Sequence, residues 1–352
     1  MNVLMVGVDQ TSLGGMLTVV ENYLHNPDFC KQTNLNYIPI TTHAGKLKKI
    51  VFSFKAYWKI VKILKTKSID IVHVHMSDGG SAYREGVILW TAKLFGCKTI
   101  SHMHAAEYES WYEKLPNLQK KIVTFLLQKA DVVIALGKDW KSTYEFVTQK
   151  KTRIEIVYNA VEVPEKNPYS VNSKKILFLA HMIKRKGIDD LLDAIMLIQN
   201  KIPDDIEFVL YGADRENNIA KRISSRNLDK IVSYCGWLSG DEKTKCFCDT
   251  MINVLPSYNE GLPMTILETM AYGIPNVSTA IAAIPEAIQN EENGYLINPG
   301  DVDALADRML TLINNQDKRI EMSNRSYEIT KLQFGLENHF KKILQIYDSL
   351  IK

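Results

Sequence analysis

No stretch of the chain approaches the roughly twenty consecutive apolar residues that a bilayer-spanning helix needs, which argues against an integral helical membrane protein. The first strand-like run, Val3–Val8, begins almost at Met1 and leaves no room for a signal peptide, so the chain is expected in the cytoplasm. Cysteine is scarce. The five present (Cys30, Cys97, Cys235, Cys246, Cys248) are odd in number and lack paired metal spacing, so neither a disulfide framework nor a cysteine zinc site is expected. Short-period repeats and low-complexity tracts are absent. So is an Asp-x-Asp element placed to hold a metal: Asp301-Val302-Asp303 follows Pro299-Gly300 and opens a helix, where acidic residues act as caps. No nucleic-acid reader motif is present, and no such partner is expected.

The 352 residues are enough for two domains with proper cores, in the composition of an ordinary globular protein. The net charge of +3 hides an asymmetry. Residues 1–160 carry 21 Lys and Arg against 13 Asp and Glu, and the remainder carries 22 against 27. The basic first half suits an anionic partner.

Strand-like and helical runs alternate throughout, the pattern of parallel sheets covered by helices. Strands are expected at Val3–Val8, Ile69–His75, Lys98–His102, Val132–Ala135 and Ile154–Tyr158, then at Ile176–Ala180, Glu207–Tyr211, Ile231–Tyr234, Ile252–Leu255 and Asn276–Ser278. The segment Val163–Lys174, with two prolines and two asparagines, reads as a linker. The expected architecture is therefore α/β, two Rossmann-like doubly wound domains at 1–165 and 166–335 facing a cleft. A final helix, 336–352, has an apolar stripe of Phe340, Ile343, Leu344 and Tyr347 and is expected to return to the first domain.

Two glutamates, Glu260 and Glu268, bracket the run Gly261-Leu262-Pro263-Met264-Thr265-Ile266-Leu267, where a turn passes into an apolar helix. One carboxylate sits on the loop and the other on the helix, with the free N–H groups of the first turn between them. A helix N-terminus attracts phosphate and carboxylates accept hydrogen bonds from sugar hydroxyls, so the segment suits a sugar nucleotide. A second glycine turn, Gly14-Gly15, follows the first strand and opens a helix. The cationic run His181-Met182-Ile183-Lys184-Arg185-Lys186-Gly187 leaves another strand and is placed to neutralise a diphosphate, Lys186 foremost. His102 and His104 close the third strand. They are read as leaving it on opposite sides, with His104 reaching the ligand. His73 and His75 are read as satisfied structural histidines, and spacing alone supplies no geometry for a zinc site built from these four.

The order of these features resembles a GT-B glycosyltransferase of the large retaining group that serves bacterial capsule, exopolysaccharide and O-antigen synthesis, family 4. It runs through Gly14-Gly15, His104 with Glu107, Lys186-Gly187, Tyr211-Gly212, Cys235-Gly236-Trp237-Leu238, Pro256-Ser257 to Glu260 and Glu268, and Met270-Ala271-Tyr272-Gly273-Ile274-Pro275. The resemblance implies transfer of a hexose or N-acetylhexosamine from a nucleotide diphosphate sugar, a UDP-sugar by preference, to a lipid-linked glycan, with no cofactor and no metal. Glu260 would contact the donor sugar, Glu268 the ribose and Lys186 the diphosphate. The N–H groups around Gly261, Leu262, Met264 and Thr265, after Pro263, would take the distal phosphate, helped by the Thr265 hydroxyl. Trp237 and Leu238 would flank the base, Gly15 would meet the phosphate and His104 the donor sugar or acceptor. Similar enzymes carry a glycine-arginine pair where this chain has Ala180-His181. Imidazole is mostly neutral at pH 7, so Arg185 would have to compensate.

Residues 46–67 hold eight lysines and no acid, interleaved with Phe52, Phe54, Tyr57 and Trp58. Ile50, Phe54, Tyr57, Val61 and Leu64 read as its core-facing stripe. With a lipid-linked acceptor, this helix is expected to touch anionic membrane from the cytoplasmic side. Two other readings fit the same residues: a catalytically weak glycan-binding partner protein, and a nucleotide-sugar epimerase of related fold.

Overall fold

The computed structural model describes residues 1–12, 14–42 and 45–351, with the Lys46 side chain left aside. The chain folds into two compact units. The first comprises residues 1–159 together with the chain from Leu336 onward, and the second residues 160–335.

The first unit is built on a parallel sheet of β1 (Val3–Val8), β2 (Asn36–Thr41), β3 (Ile71–Met76), β4 (Lys98–Met103), β5 (Val132–Ala135) and β6 (Arg153–Ile156), in the order β2-β1-β3-β4-β5-β6. The second has β7 (Lys175–Leu179), β8 (Glu207–Tyr211), β9 (Val232–Tyr234), β10 (Thr250–Leu255), β11 (Asn276–Thr279) and β12 (Gly294–Ile297), in the order β12-β11-β10-β7-β8-β9, again parallel. Central strands such as β3, β5 and β10 are buried along their whole length, as strands covered by helices on both faces must be. This is the α/β architecture that the alternation predicts. Ten strands fall where expected, with ends shifted by a residue or two. Two do not. β2 contains Pro39, which lacks a donor and reads as a strand breaker, but β2 lies at the sheet edge, where proline is tolerated. β12 is short, opens on Gly294 and also lies at an edge.

The segment expected to be a linker is anchored within the second unit. The Tyr327 hydroxyl donates to the Pro164 carbonyl (2.6 Å), and the Tyr169 hydroxyl to that of Met251 (3.0 Å). The helix Leu336–Ile351 belongs to the first unit and buries Phe340, Ile343, Ile346 and Tyr347. Its rings meet Tyr23 and Phe29, with Phe29 and Phe340 centroids 5.0 Å apart. Each such side chain taken from water stabilises the fold by about 1.5–3 kcal/mol. No helix among the described residues is long and apolar enough to cross a membrane.

One buried carboxyl makes the first unit sensitive to pH. Glu85, in the helix Gly80–Leu94, is 2% exposed, and among the described residues it pairs with Arg84, 2.6 Å away. Its Oε2 has no hydrogen-bond partner. Burial pushes the carboxyl up to about 7, outweighing the pull of Arg84. The folded chain therefore holds a proton that the unfolded chain releases near pH 4.5, and the contribution of Glu85 to stability falls as pH rises from 4.5 to 7, against the opposite trend of the buried neutral histidines of the same unit. Glu85→Gln removes that loss while keeping the shape. It is expected to be more stable than the parent at pH 8 by on the order of 2–3 kcal/mol, and close to it at pH 5, in urea unfolding. A Glu85→Gln variant that differs from the parent by the same amount at pH 5 and at pH 8 would contradict this.

Candidate functional site

In the second sheet the strand order reverses at β7 and β10: β8 and β9 lie to one side, β11 and β12 to the other. At such a reversal neighbouring loops leave the carboxyl edge in opposite directions and open a crevice. Here the loops are Ala180–Gly187 after β7 and Pro256–Pro263 after β10. They are joined closely. Gly187 has φ 70°, and a Cβ there would fall 2.0 Å from the Pro256 carbonyl oxygen, so only glycine lets the backbones approach this way. The Tyr258 amide donates to the Arg185 carbonyl (2.8 Å), and the Arg185 guanidinium to that of Asn259 (2.6 Å).

At the centre of this weld Lys186 Nζ lies 2.5 Å from Glu260 Oε1, and the Ser257 hydroxyl donates to the same oxygen at 2.7 Å. The two charged side chains are only 14% and 6% exposed. Beside them begins the helix Met264–Ala271, with Pro263 at its cap and no side chain capping it. Its first-turn N–H groups have no acceptor within the helix and carry partial positive charge. Gly261, Leu262, Pro263 and Met264 are buried under this edge. The Thr265 hydroxyl donates to the Leu179 carbonyl at 3.0 Å, pinning the helix start to β7. That proton is spent on the fold, which corrects the expectation that it assists a phosphate.

Glu268, one turn into the helix, is paired with Lys243 of the helix Gly240–Cys248 at 2.6 Å. The sequence offered no sign of this lysine, because only the packing of two helices brings it there. Trp237 is 45% exposed and Leu238 buried. The ring of His181 stands 6.2 Å from that of Trp237, and its Nδ1 is buried without a partner. Burial first, then the cations Arg215, Lys186 and Arg185, push its pKa below the ordinary imidazole value, so it is neutral at pH 7. Arg185, expected to compensate for it, spends one guanidinium N–H on Asn259. Glu260, Lys186, Glu268, His181, Arg185 and Trp237 thus belong to one unit and one sheet edge.

Gly14, Gly15 and His104 belong to the other unit. Gly14 has φ 119° directly before the helix Gly15–Leu24, while Leu13 lies outside the described residues. Asp9, at the end of β1, gathers the Thr11 hydroxyl (2.7 Å) and amide (3.1 Å), which shape the turn. His102 and His104 do not leave the strand on opposite sides. Residues i and i+2 of a strand share a face, and their rings lie 4.4 Å apart. His73 and His75 join them, with His75 Nδ1 2.9 Å from His104 Nε2. Nor are these two fully satisfied, since Nε2 of His75 has no partner. His104 is partly exposed at the carboxyl edge. Burial among these neighbours, with a smaller push from His339, takes its pKa down to about 3, so it offers a neutral ring. The aromatics after it mostly pack: Tyr108 is fully buried against Trp111 and Tyr144.

The basic helix Lys46–Thr66 is turned otherwise than expected. Ala56, Ile60, Val61 and Leu64 face the core, whereas Ile50 is 66% and Phe54 63% exposed. With Leu47, Val51 and Trp58 they form an outward apolar stripe along its first half. The two faces are both apolar there, so periodicity alone chose wrongly.

With this geometry in place, comparison with known proteins is informative. The family described as Glycosyl transferases group 1 matches residues 173–315, and Glycosyltransferase Family 4 matches residues 20–164. The N-acetyl-alpha-D-glucosaminyl L-malate synthase of Bacillus anthracis is 25% identical over 310 residues, covering 84% of this chain and 78% of its own. The UDP-Gal:alpha-D-GlcNAc-diphosphoundecaprenol alpha-1,3-galactosyltransferase of Escherichia coli is 24% identical, covering 86% and 81%. The crystal structure of Anabaena HepE in complex with UDP superposes with a TM-score of 0.78 at 15% identity, covering 99% of this chain and 100% of that one. The fold is GT-B, and the two family matches fall one on each sheet. The chain belongs to the group 1, family 4 glycosyltransferases and is a sugar-transferring enzyme.

Proposed function

We propose that this enzyme moves a hexose or N-acetylhexosamine, with retention at the anomeric carbon, from a UDP-sugar to a lipid-linked glycan in the building of a bacterial surface polysaccharide. The observation that carries the reading is the nearly dry Lys186–Glu260 pair beside the uncapped start of the helix Met264–Ala271. A cation and a helix N-terminus converge where a diphosphate would lie, and a carboxylate waits beside them for hydroxyls. The diphosphate draws Lys186 toward itself and releases Glu260 to the donor sugar. Glu268 accepts from the ribose, Trp237 and Leu238 flank the base, and the neutral His181 adds an uncharged donor to the phosphate. Support also comes from the relatives: the E. coli enzyme is named for a UDP-galactose donor and a diphosphoundecaprenol-linked acceptor, and HepE holds UDP.

In this reading the leaving diphosphate gathers charge as the glycosidic bond breaks, and Lys186 with the helix N-terminus stabilises it. The acceptor hydroxyl attacks from the same face, guided by the leaving phosphate oxygens. Gly14 and Gly15 allow the phosphate a close approach, and His104, a neutral ring, orients sugar or acceptor. No cofactor is called for. The lipid-linked acceptor brings the enzyme to the inner face of the cell membrane. There the outward stripe Leu47, Ile50, Val51, Phe54 and Trp58 enters the interface, and the surrounding lysines meet anionic headgroups at about 1 kcal/mol each.

Glu260→Ala is expected to lower transfer at least about 100-fold in a mass-spectrometric assay across a panel of UDP-sugars. Unchanged turnover would refute its role. Glu268→Ala is expected to weaken UDP binding by calorimetry about 10- to 100-fold, the worth of hydrogen bonds to a charged group (about 1.5–3 kcal/mol). Equal affinity would move the ribose elsewhere. In flotation the protein is expected to rise with phosphatidylglycerol vesicles and not with phosphatidylcholine alone. Lys48→Glu with Lys55→Glu, or Phe54→Ala with Trp58→Ala, should leave it in the soluble fraction; unaltered flotation would exclude this helix as the contact.

A further inference from the structure

We propose that His73, His75 and His102 bind one transition-metal dication of the zinc type in the interior of the first unit, a site separate from the transfer chemistry and independent of that reading.

The fold brings these rings together. β3 and β4 are neighbours in register, with His75 directly beside His102. His73 and His75 stand two residues apart and share a face, so the three side chains emerge on one side of the sheet. Their ring centroids are 4.9, 5.1 and 5.4 Å apart, and one nitrogen from each lies within 4.8 Å of the others. All three residues are at most 1% exposed. His73 Nε2 and His102 Nδ1 are 3.3 Å apart. Two ligands at 2.0–2.1 Å from a tetrahedral zinc ion stand about 3.3 Å apart, so this pair already has the required spacing. Rotation of the His75 ring about its soft outer torsion is the adjustment that brings the third nitrogen in.

The hydrogen bonding is incomplete without a further group. Nε2 of His75 is buried and has no partner, and an ion would supply one; Nε2 of His102 is orphaned too and would carry that ring's proton when Nδ1 binds the ion. Each orphan costs about 1–3 kcal/mol. His75 Nδ1 is engaged by His104, so either tautomer leaves its Nε2 unsatisfied. The tautomer that donates from Nδ1 to His104 turns that nitrogen into a free lone pair. Likewise His73 Nδ1, 2.6 Å from the Tyr347 hydroxyl, can donate there and present its Nε2 lone pair to the cluster. Outer hydrogen bonds of this kind orient metal-binding imidazoles and raise their basicity. A donor set of neutral imidazoles without carboxylate favours zinc, nickel, copper or cobalt over magnesium or calcium. The partly exposed His104 marks the way in from the carboxyl edge. A bound ion would tie β3 to β4 and give Nε2 of His75 the partner it lacks.

The test uses the full chain without a histidine tag, stripped with chelator and titrated with Zn²⁺ and with Co²⁺. Calorimetry is expected to give one equivalent per chain, cobalt a visible d–d absorption of tetrahedral type, and zinc a higher melting temperature. His75→Gln and His102→Gln should each weaken binding at least 100-fold, while His25→Ala, on an exposed helix end, should not. Because a buried substitution can unfold the chain, circular dichroism accompanies each variant, and the parent titration decides alone if none folds. No stoichiometric binding by the parent, or one equivalent that survives His102→Gln in a folded protein, overturns the proposal.

Discussion

A lysine and a glutamate, both nearly removed from water, hold the carboxyl edge of the second sheet together. Taking two charges out of water costs several kcal/mol for each ion, and their attraction offsets this only with good geometry and further hydrogen bonds. Lys186 and Glu260 meet both conditions: contact at 2.5 Å, with the Ser257 hydroxyl on the same oxygen. The loops that carry them must therefore be placed tightly, and the rest of the site follows from that demand. Gly187 lets one loop press on Pro256, Arg185 ties itself to Asn259, and Thr265 fastens the next helix to β7. What results is an edge that carries a nearly buried cation balanced by one carboxylate.

The first unit solves a different problem with the same layout. Its sheet buries a face of histidines where the second sheet buries aliphatic chains. The helix from Leu336 supplies Tyr347 and His339 to that face, with Tyr347 bonded to His73 and His339 to Tyr23. A polar interior of this sort stays stable only if its members are satisfied. The partly exposed His104 is kept neutral by burial among these rings and held in place by His75. The basic surface lies on another element of this unit, the helix Lys46–Thr66, apart from the strands that carry the histidines.

Much of this was legible before any coordinates. Alternating strand and helix runs pointed to two parallel sheets, and the Glu260–Glu268 segment and Lys186-Gly187 pointed to two loops that meet at the carboxyl edge of the second sheet. What stayed hidden depended on partners distant in sequence or on choices between equal patterns. β2 went unread: it contains Pro39, and the edge position that tolerates a proline is not visible in a local window. Lys243 could not be matched to Glu268, since nothing local relates their helices. The Thr265 hydroxyl looked free because Leu179 lies on β7, far from it in sequence. The Lys46–Thr66 helix has apolar residues on two sides, and packing alone decides which side meets the core. The histidine ladder was misread for a simpler reason: alternate residues of a strand share a face, and applying that period would have grouped the four rings from the start.

The claim on which the account rests is that Lys186 is shared, held by Glu260 in the free enzyme and by the diphosphate in the complex. It is tested most directly by calorimetric titration of UDP, which has no sugar for Glu260 to hold, into the parent and into Glu260→Gln. The amide keeps the hydrogen bond from Ser257 but no longer competes for the cation. The account predicts that the variant binds UDP more tightly, by about 10-fold or about 1.4 kcal/mol. UDP binding that is unchanged or weaker in Glu260→Gln would contradict it.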